Sequence, residues 1–137
     1  MPDVVTCIIE HQGKILLLKR SEEVGTYKEL WGGVAGFIEP GEEPVEAALK
    51  EIHEEIGIPA SELTLIKKFD QVQFTDLYEE KFYDWIVHPF LFTIDNKEKI
   101  RLDWEHTDYC WIPPAEVQEF DTVPRFKEIV EKVCCVV

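Results

Sequence analysis

Basic residues are scarce in this sequence. Its 14 lysines and arginines stand against 28 aspartates and glutamates, which gives a formal net charge of −14 at pH 7. Proteins that bind the nucleic-acid backbone rely on lysine and arginine to neutralise phosphates, so this composition argues against nucleic acid as a partner. An anionic ligand must be bound at one local site, and acid-rich proteins bind polyphosphates where divalent cations bridge carboxylates to phosphates.

Long apolar runs are absent as well, because none approaches the roughly 20 residues that a helix needs to span a bilayer. The first residues, Met1-Pro2-Asp3, lack the basic and apolar regions of a secretion signal. The cysteines show no CxxC spacing, which argues against a structural zinc site. We therefore expect no membrane association and a cytoplasmic location.

The residues that are present predict a sheet packed against helices. With 137 residues, 45% of them hydrophobic, the chain is long enough to bury a core, and we expect a single domain over residues 1–137. Apolar runs rich in β-branched and aromatic residues predict strands at residues 4–9, 15–18, 63–74, 82–94 and 109–112. The acidic segment from Asp76 to Glu80 is predicted to be the loop of a long hairpin, and Arg125 to Val133 has the spacing of a closing amphipathic helix.

A glycine-rich loop with short extended pieces, a turn and a helix are predicted between residues 31 and 57. Three glycines fall within the six residues from Trp31 to Gly36, which indicates close backbone approach or unusual dihedral angles. The sequence Glu39-Pro40-Gly41-Glu42 then predicts a tight turn. The helix is expected to begin at Pro44 and to end at Ile56, because Gly57 supplies a C-terminal stop.

Three glutamates lie on one side of this predicted helix. At 100° per residue, Glu55 and Glu54 lie about 40° and 60° on either side of Glu51, an arc of roughly 100°. The arc is directed away from the predicted core face, which consists of Val45, Ala48, Leu49, Ile52 and Ile56. We therefore expect the three carboxylates to converge on one outward patch.

Like charges at this spacing destabilise a helix by about 0.2–0.5 kcal/mol per pair. A hard divalent cation such as Mg²⁺ or Mn²⁺ would reverse the penalty, because these ions take oxygen ligands. An ordinary solvated helix face is the alternative interpretation, since charge runs are usually of that kind. The sequence around the helix distinguishes the two.

The segment from Gly36 to Ile58, GFIEPGEEPVEAALKEIHEEIGI, resembles the Nudix box, GX5EX7REUXEEXGU with U apolar. Every fixed position matches except Lys50, where the family pattern has arginine. Positive charge is retained there, but lysine lacks the planar fork that pairs with a carboxylate through two hydrogen bonds. The motif is specific, and on it the chain is similar to the Nudix hydrolases.

The resemblance implies the Nudix fold, an α/β fold with a mixed β-sheet sandwiched between α-helices. It also implies that Glu51, Glu54 and Glu55, together with the backbone carbonyl of Gly36, hold Mg²⁺ or Mn²⁺. The implied reaction is attack of water on a phosphoanhydride bond of a nucleoside diphosphate linked to another moiety. Nucleotide sugars such as ADP-ribose, dinucleoside polyphosphates and nucleoside triphosphates all remain open as substrates.

Other site residues are predicted outside the three box glutamates. A carboxylate is expected to serve as the general base, and the candidates are Glu51, which is favoured, and Glu105, Glu79 and Glu80. Candidates for contact with the substrate are Arg20, Lys50 and Trp31. Each of these also has a simpler interpretation as a surface cation, an internal ion pair or a core aromatic. The four histidines show no ligand spacing and are expected to be incidental.

Two rival functions share the same fold. One is a non-catalytic Nudix module that binds a nucleotide, although the catalytic acids are all present. The other is an isoprenoid diphosphate isomerase, which needs an active-site cysteine, whereas Cys7 and Cys110 are predicted to be core residues. A small-molecule nucleotide is the expected partner, and a homodimer through the aromatic strand at residues 82–92 is expected from the habit of the family.

Overall fold

The computed structural model describes residues 3–96 and 99–134. Its eight strands and two α-helices are, in chain order, β1 (Asp3–His11), β2 (Lys14–Arg20), β3 (Trp31–Gly32), β4 (Val34–Phe37), α1 (Pro44–Ile56), β5 (Leu63–Lys68), β6 (Val72–Tyr78), β7 (Lys81–Ile94), β8 (His106–Ile112) and α2 (Phe126–Cys134). Short 3-10 helices lie at Ala60–Glu62 and Pro114–Glu119. Neither α-helix of the described residues is long and apolar enough to cross a membrane.

The strands form one mixed sheet in which β3, β2, β1, β7 and β5 are successive neighbours. Strands β1 and β7 run parallel, with register from Asp3 opposite Ile86 to Glu10 opposite Thr93. The other pairings are antiparallel, and they add β4 to β1, β6 to β7 and β8 to β2. Strand β4 pairs with the first half of β1, from Val4 to Cys7. The same residues of β1 pair with β7 along the opposite edge.

The two helices cover opposite faces of the sheet. Residues of α1 such as Ala48 and Ile52 pack against Val5 and Cys7 of β1. On the other face, residues of α2 such as Ile129 pack around Ile8. Alternate residues of one strand thus feed two cores, as the period of a β-strand requires. The predicted class, a mixed sheet sandwiched between helices, is confirmed.

The predicted strand at residues 63–74 is two strands, β5 and β6. Both pair with β7 along the same edge, and the break between them lies opposite Pro89, between the pairs Lys68–Phe90 and Val72–Val87. Proline has no backbone N–H to donate, so a continuous antiparallel ladder cannot pass that position. The Pro89 carbonyl is still used, because it accepts a hydrogen bond from the Phe69 N–H at 3.0 Å.

The hairpin between β6 and β7 has a shorter loop than predicted. Strand β6 continues through Asp76 to Tyr78, and only Glu79 and Glu80 form the turn. Both have positive φ, 48° and 67°. Two successive residues in this left-handed region are typical of the two-residue turns whose twist matches the flanking strands.

Helix α1 has the predicted bounds, Pro44–Ile56. Glu43 and Glu46 form a reciprocal capping box at its start. Gly57 ends it in the left-handed conformation, with φ of 75° and a hydrogen bond from its N–H to the His53 carbonyl.

Candidate active site

Strand β4 lies directly against one side of helix α1. At Gly36 the two elements are so close that a Cβ atom would lie 2.2 Å from Cδ and 2.6 Å from Cγ of Glu51. Only glycine fits such an approach. The glycine-rich segment therefore brings the backbone of β4 against the acidic side of the helix.

This packing corrects the prediction of an outward patch of three glutamates. Glu51 is 9% exposed and Glu55 is 1% exposed, while Glu54 is exposed to solvent. The helical wheel treats the helix in isolation, but β4 covers the side on which Glu51 and Glu55 lie. The Ala35 backbone N–H donates a hydrogen bond to Glu55 Oε1 at 3.4 Å.

Burial of these carboxyls changes their acidity. Burial, followed by the charge of Glu105 and the contact with the Glu51 carboxyl, raises the pKa of Glu55 well above its usual value. Burial also raises the pKa of Glu51. Glu55 Oε2 is buried and has no hydrogen-bond partner among the described residues. The protein thus holds two acidic groups in a place that disfavours their ionised forms unless a cation joins them.

The segment before β8 brings a further carboxylate to this place. The Asp103 N–H donates to the Glu55 carbonyl at 3.3 Å and the Arg101 N–H to the Ile56 carbonyl at 2.9 Å. Glu105 follows, and burial together with the charges of Asp103 and Glu51 raises its pKa to about 7. Of the predicted alternative bases, Glu105 therefore lies beside the box glutamates, whereas Glu79 and Glu80 form the exposed β6–β7 turn.

His106 was expected to be incidental, yet its side chain is buried between two carboxylates. Its Nε2 lies 3.7 Å from Glu55 Oε1 and its Nδ1 lies 3.7 Å from Asp103 Oδ1. Burial and the charge of Arg20 lower the pKa of His106 to about 4. Sequence spacing does not predict the contact between His106 and Glu55, because that contact depends on how β8 pairs with β2.

Arg20 and Lys50 have different surroundings. The Arg20 guanidinium is partly buried and donates from Nε and Nη2 to the Thr26 carbonyl, at 3.1 and 2.9 Å. Burial lowers the pKa of Arg20, against the opposing effect of Glu55 and Glu105. Lys50 pairs with Glu42, with Nζ 3.0 Å from Oε2. In this structure Lys50 thus stabilises the turn before α1.

A cleft lies on the face of the sheet opposite α1 and has a volume of about 150 Å³. Its aromatic walls are formed by Phe37, Phe74 and Trp85, while Arg20 and Thr26 supply polar groups. Ala35 and Gly36 also line it, so β4 separates the cleft from Glu51 by the thickness of one strand. The third predicted contact, Trp31, packs edge-on against Phe120 at 5.4 Å between centroids and is not among the residues lining the cleft.

The segment before β3 and the β6–β7 hairpin are joined by hydrogen bonds beside the cleft. The Tyr27 hydroxyl donates to Asp76 Oδ2 at 2.8 Å, and Trp85 Nε1 donates to the Tyr27 hydroxyl at 3.0 Å. Burial, the main cause, raises the pKa of Tyr27 to about 12. Residues 21–30 and the β6–β7 hairpin therefore share one wall of the cleft.

The acidic residues can be tested for their fit to a divalent cation. In the part of the chain described, no three acidic, histidine or cysteine side chains already converge as ligands. The unpaired Glu55 Oε2, the adjoining Glu51 and the bare backbone of Gly36 nevertheless supply the oxygen donors that such ions prefer. The carboxylates also repel one another, and a cation would relieve that repulsion. Glu51, Glu55 and the Gly36 backbone therefore fit a divalent cation.

Comparison with known proteins agrees with this chemistry. The family model described as the NUDIX domain matches residues 1–133. The nucleoside triphosphatase NudI of Escherichia coli is 26% identical over 123 residues, 86% of each chain. The MutT protein from Methanosarcina mazei Go1 superposes with a TM-score of 0.78 at 27% identity and covers 96% of this chain and 91% of that one.

A further solved structure is similar in fold. The E. coli dihydroneopterin triphosphate pyrophosphohydrolase has a TM-score of 0.81 at 23% identity, over 98% of this chain and 96% of its own. Nudix hydrolases generally use divalent metal ions. With its box residues, its sheet between helices and its match over nearly the whole length, this chain belongs to the Nudix family and is a hydrolase that acts on phosphoanhydrides.

Proposed function

We propose that this chain is a Mg²⁺- or Mn²⁺-dependent pyrophosphohydrolase of nucleoside triphosphates. The observation that carries the proposal is the place of Gly36, which lines the aromatic cleft and also packs against Glu51. A nucleotide whose base enters the cleft has its phosphates directed over β4 toward the acidic residues. The name of NudI, a nucleoside triphosphatase 26% identical to this chain, supports this class of substrate.

The cleft suits one planar base. Phe37, Phe74 and Trp85 offer apolar ring surfaces, and stacking of a base on an aromatic side chain contributes about 1–3 kcal/mol. Trp85 is itself held by Tyr83, whose ring is parallel to it within 7° at a centroid distance of 5.5 Å. With a volume of about 150 Å³, the cleft takes one base in this proposal.

Glu51, Glu54, Glu55 and the Gly36 carbonyl would hold the metal. When bound, a divalent cation neutralises charge on the phosphoryl oxygens and lowers the pKa of the attacking water. Exposed Glu54 must turn toward Glu51 for this purpose, and the two already interact electrostatically. Arg20, at the edge of the cleft, adds positive charge toward the phosphates.

Glu105 takes the proton of the attacking water in this proposal, in place of Glu51. The pKa of Glu105, raised to about 7 by burial and neighbouring acids, suits a group that must accept a proton near neutral pH. Glu51 is turned against Gly36 and Glu55, which suits a metal ligand better than a base. The water then attacks one phosphorus of the anhydride, and the bridging oxygen leaves with the departing phosphate.

Among the described residues, Cys7 and Cys110 do not supply the reactive thiol that the rival isomerase activity needs. Cys7 is fully buried, and burial raises the pKa of its thiol well above the usual value. Cys110 lies in β8 opposite Leu17, and burial raises its pKa as well. Neither thiol has the acidified, accessible setting that a reactive cysteine requires.

A substrate panel tests the proposal. Nucleoside triphosphates, ADP-ribose and dinucleoside polyphosphates are incubated with Mg²⁺ or Mn²⁺, and products are separated by anion-exchange chromatography. We expect nucleoside monophosphate and pyrophosphate from triphosphates, with no product in EDTA or with Glu54→Gln. A kcat/KM higher for ADP-ribose or a dinucleoside polyphosphate would overturn the substrate class. Nucleotide binding without turnover in either metal would point to a catalytically silent protein.

A further inference from the structure

The His106 imidazole joins the acidic helix to the segment before β8. It lies between Glu55 of α1 and Asp103, and each ring nitrogen is 3.7 Å from a carboxylate oxygen. The side chains of His106 and Glu55 are both 1% exposed. Arg20 approaches from β2, where it is the register partner of His106. The ring is thus enclosed by three charged residues from three elements.

Two buried atoms at this contact lack hydrogen-bond partners among the described residues, Glu55 Oε2 and His106 Nδ1. Buried polar atoms are nearly always paired, so each exception calls for an explanation, such as a bound ion. The two N···O distances of 3.7 Å exceed the usual N···O separation of a hydrogen bond by about 0.7 Å. A small movement of the Glu55 carboxylate would therefore close the contact with Nε2.

The backbone keeps the ring in register with the helix. The Asp103 N–H donates to the Glu55 carbonyl at 3.3 Å, and the His106 N–H donates to the Asp103 carbonyl at 3.4 Å. Asp103 Oδ1 also accepts a hydrogen bond from the Glu105 N–H at 3.1 Å. Main-chain hydrogen bonds therefore tie the segment that carries Asp103 and His106 to the backbone of Glu55.

We propose that His106 is a positioning residue for the metal site. Its Nε2–H donates to Glu55 Oε1 and leaves Oε2 free to ligate the cation. The proposal rests on the proposed function in one respect, the role of Glu55 as a ligand. Groups that hold ligating side chains in place commonly change metal affinity by about 10–100-fold when they are removed.

The first test is Mn²⁺ affinity, measured from the free-ion signal by electron paramagnetic resonance. His106→Leu removes the donor and keeps the site apolar, and we expect its Mn²⁺ Kd to rise about tenfold or more. His106→Gln returns a side-chain N–H near the position of Nε2 and should restore the Kd to within about threefold of wild type. The control His88→Leu removes a partly buried histidine that bonds Asp3, at 2.9 Å, and should leave the Kd unchanged.

A second readout separates positioning from general destabilisation. In saturating Mn²⁺, His106→Leu should lower kcat while the KM for a nucleoside triphosphate stays near that of wild type, because the base cleft is intact. A Kd for Mn²⁺ in folded His106→Leu equal to that of wild type overturns the positioning role alone. Absence of Mn²⁺ binding by the wild-type protein overturns this role and the proposed function together.

Nitrogen-15 NMR of the wild-type protein covers the case in which His106→Leu does not fold. Titration with Mg²⁺ should shift the Nε2 resonance of His106 to that of a hydrogen-bonded N–H, while the His88 resonances stay in place. A His106 ring whose nitrogen resonances do not respond to saturating Mg²⁺ overturns the proposal.

Discussion

Gly36 and Glu51 are packed so closely that no side chain fits between the backbone of β4 and the carboxylate of α1, since a Cβ at position 36 would lie 2.2 Å from Glu51 Cδ. This contact places buried carboxyls under a strand whose opposite side lines an aromatic cleft. A substrate that binds in the cleft therefore lies only one strand away from the carboxyls of α1.

The Gly36 contact predicts a stability cost for even one added methyl group. Gly36→Ala must displace Glu51, and overpacking of this kind costs about 1–3 kcal/mol in the free energy of unfolding. Urea denaturation measures it. Gly25→Ala is the matched control, because a Cβ there meets nothing within 4 Å. In a Glu51→Ala background the cost of Gly36→Ala should largely vanish, and a cost that persists would show that Glu51 is not its cause.

The bounds of helix α1 and the need for glycine at Gly36 could be predicted from sequence because their signals are local. Pro44 and Gly57 mark the helix ends, and the box residues identify the fold family. The burial of Glu55 could not be predicted that way, because β4 reaches the helix through its pairing with β1. The contact of His106 with Glu55 likewise depends on strand pairing between residues far apart in sequence.

The raised pKa of Glu105 leads us to expect an unusual pH dependence of the free energy of unfolding in EDTA. Its pKa is about 7 in the folded protein, above its ordinary value of 4.5, so the folded state binds the proton more tightly. The stabilisation from protonated Glu105 is complete below pH 4.5 and is lost as pH rises through 7. The glutamine of Glu105→Gln does not titrate. The free energy of unfolding of this variant should therefore rise relative to that of wild type by about 1 kcal/mol between pH 4.5 and 8, after allowance for solvent screening.

Chemical denaturation at pH 4.5, 6 and 8 measures this difference. Glu116→Gln, at an exposed acid of the 3-10 helix Pro114–Glu119, is the control for the loss of one carboxylate outside the site. A Glu105→Gln variant whose stability relative to wild type is the same at pH 4.5 and 8 would contradict a raised pKa.

Phe37 offers a test of base stacking with little risk to the fold, because it lines the cleft yet is 57% exposed. Phe37→Ala should raise the KM for a nucleoside triphosphate about tenfold and leave kcat nearly unchanged, since stacking contributes about 1–3 kcal/mol per base. Phe82→Ala is the matched control, because Phe82 is 71% exposed and does not line the cleft. Equal kinetic effects of the two variants would argue against the cleft as the base site.

The Lys50–Glu42 ion pair distinguishes two roles for the residue that departs from the Nudix box. If Lys50 serves only as the partner of Glu42, Lys50→Met should lower the Tm in low salt. The difference in Tm between the variant and wild type should shrink in 1 M NaCl, because salt screens the ion pair. Lys50→Arg should keep both Tm and turnover, because guanidinium pairs well with a carboxylate. A Lys50→Met variant with unchanged Tm and a raised nucleotide KM would instead show that Lys50 contacts the substrate.

The proposed function requires the buried Glu51–Glu55 pair to bind the catalytic cation. Isothermal titration calorimetry of Mn²⁺ at pH 7, in two buffers of different ionisation enthalpy, measures this binding and the protons that it releases. Because burial raises the pKa of both carboxyls, we expect Mn²⁺ binding to release protons, and Glu55→Gln to bind Mn²⁺ at least tenfold more weakly with smaller release. Mn²⁺ binding of equal affinity in wild type and Glu55→Gln, without proton release in either, would contradict the claim.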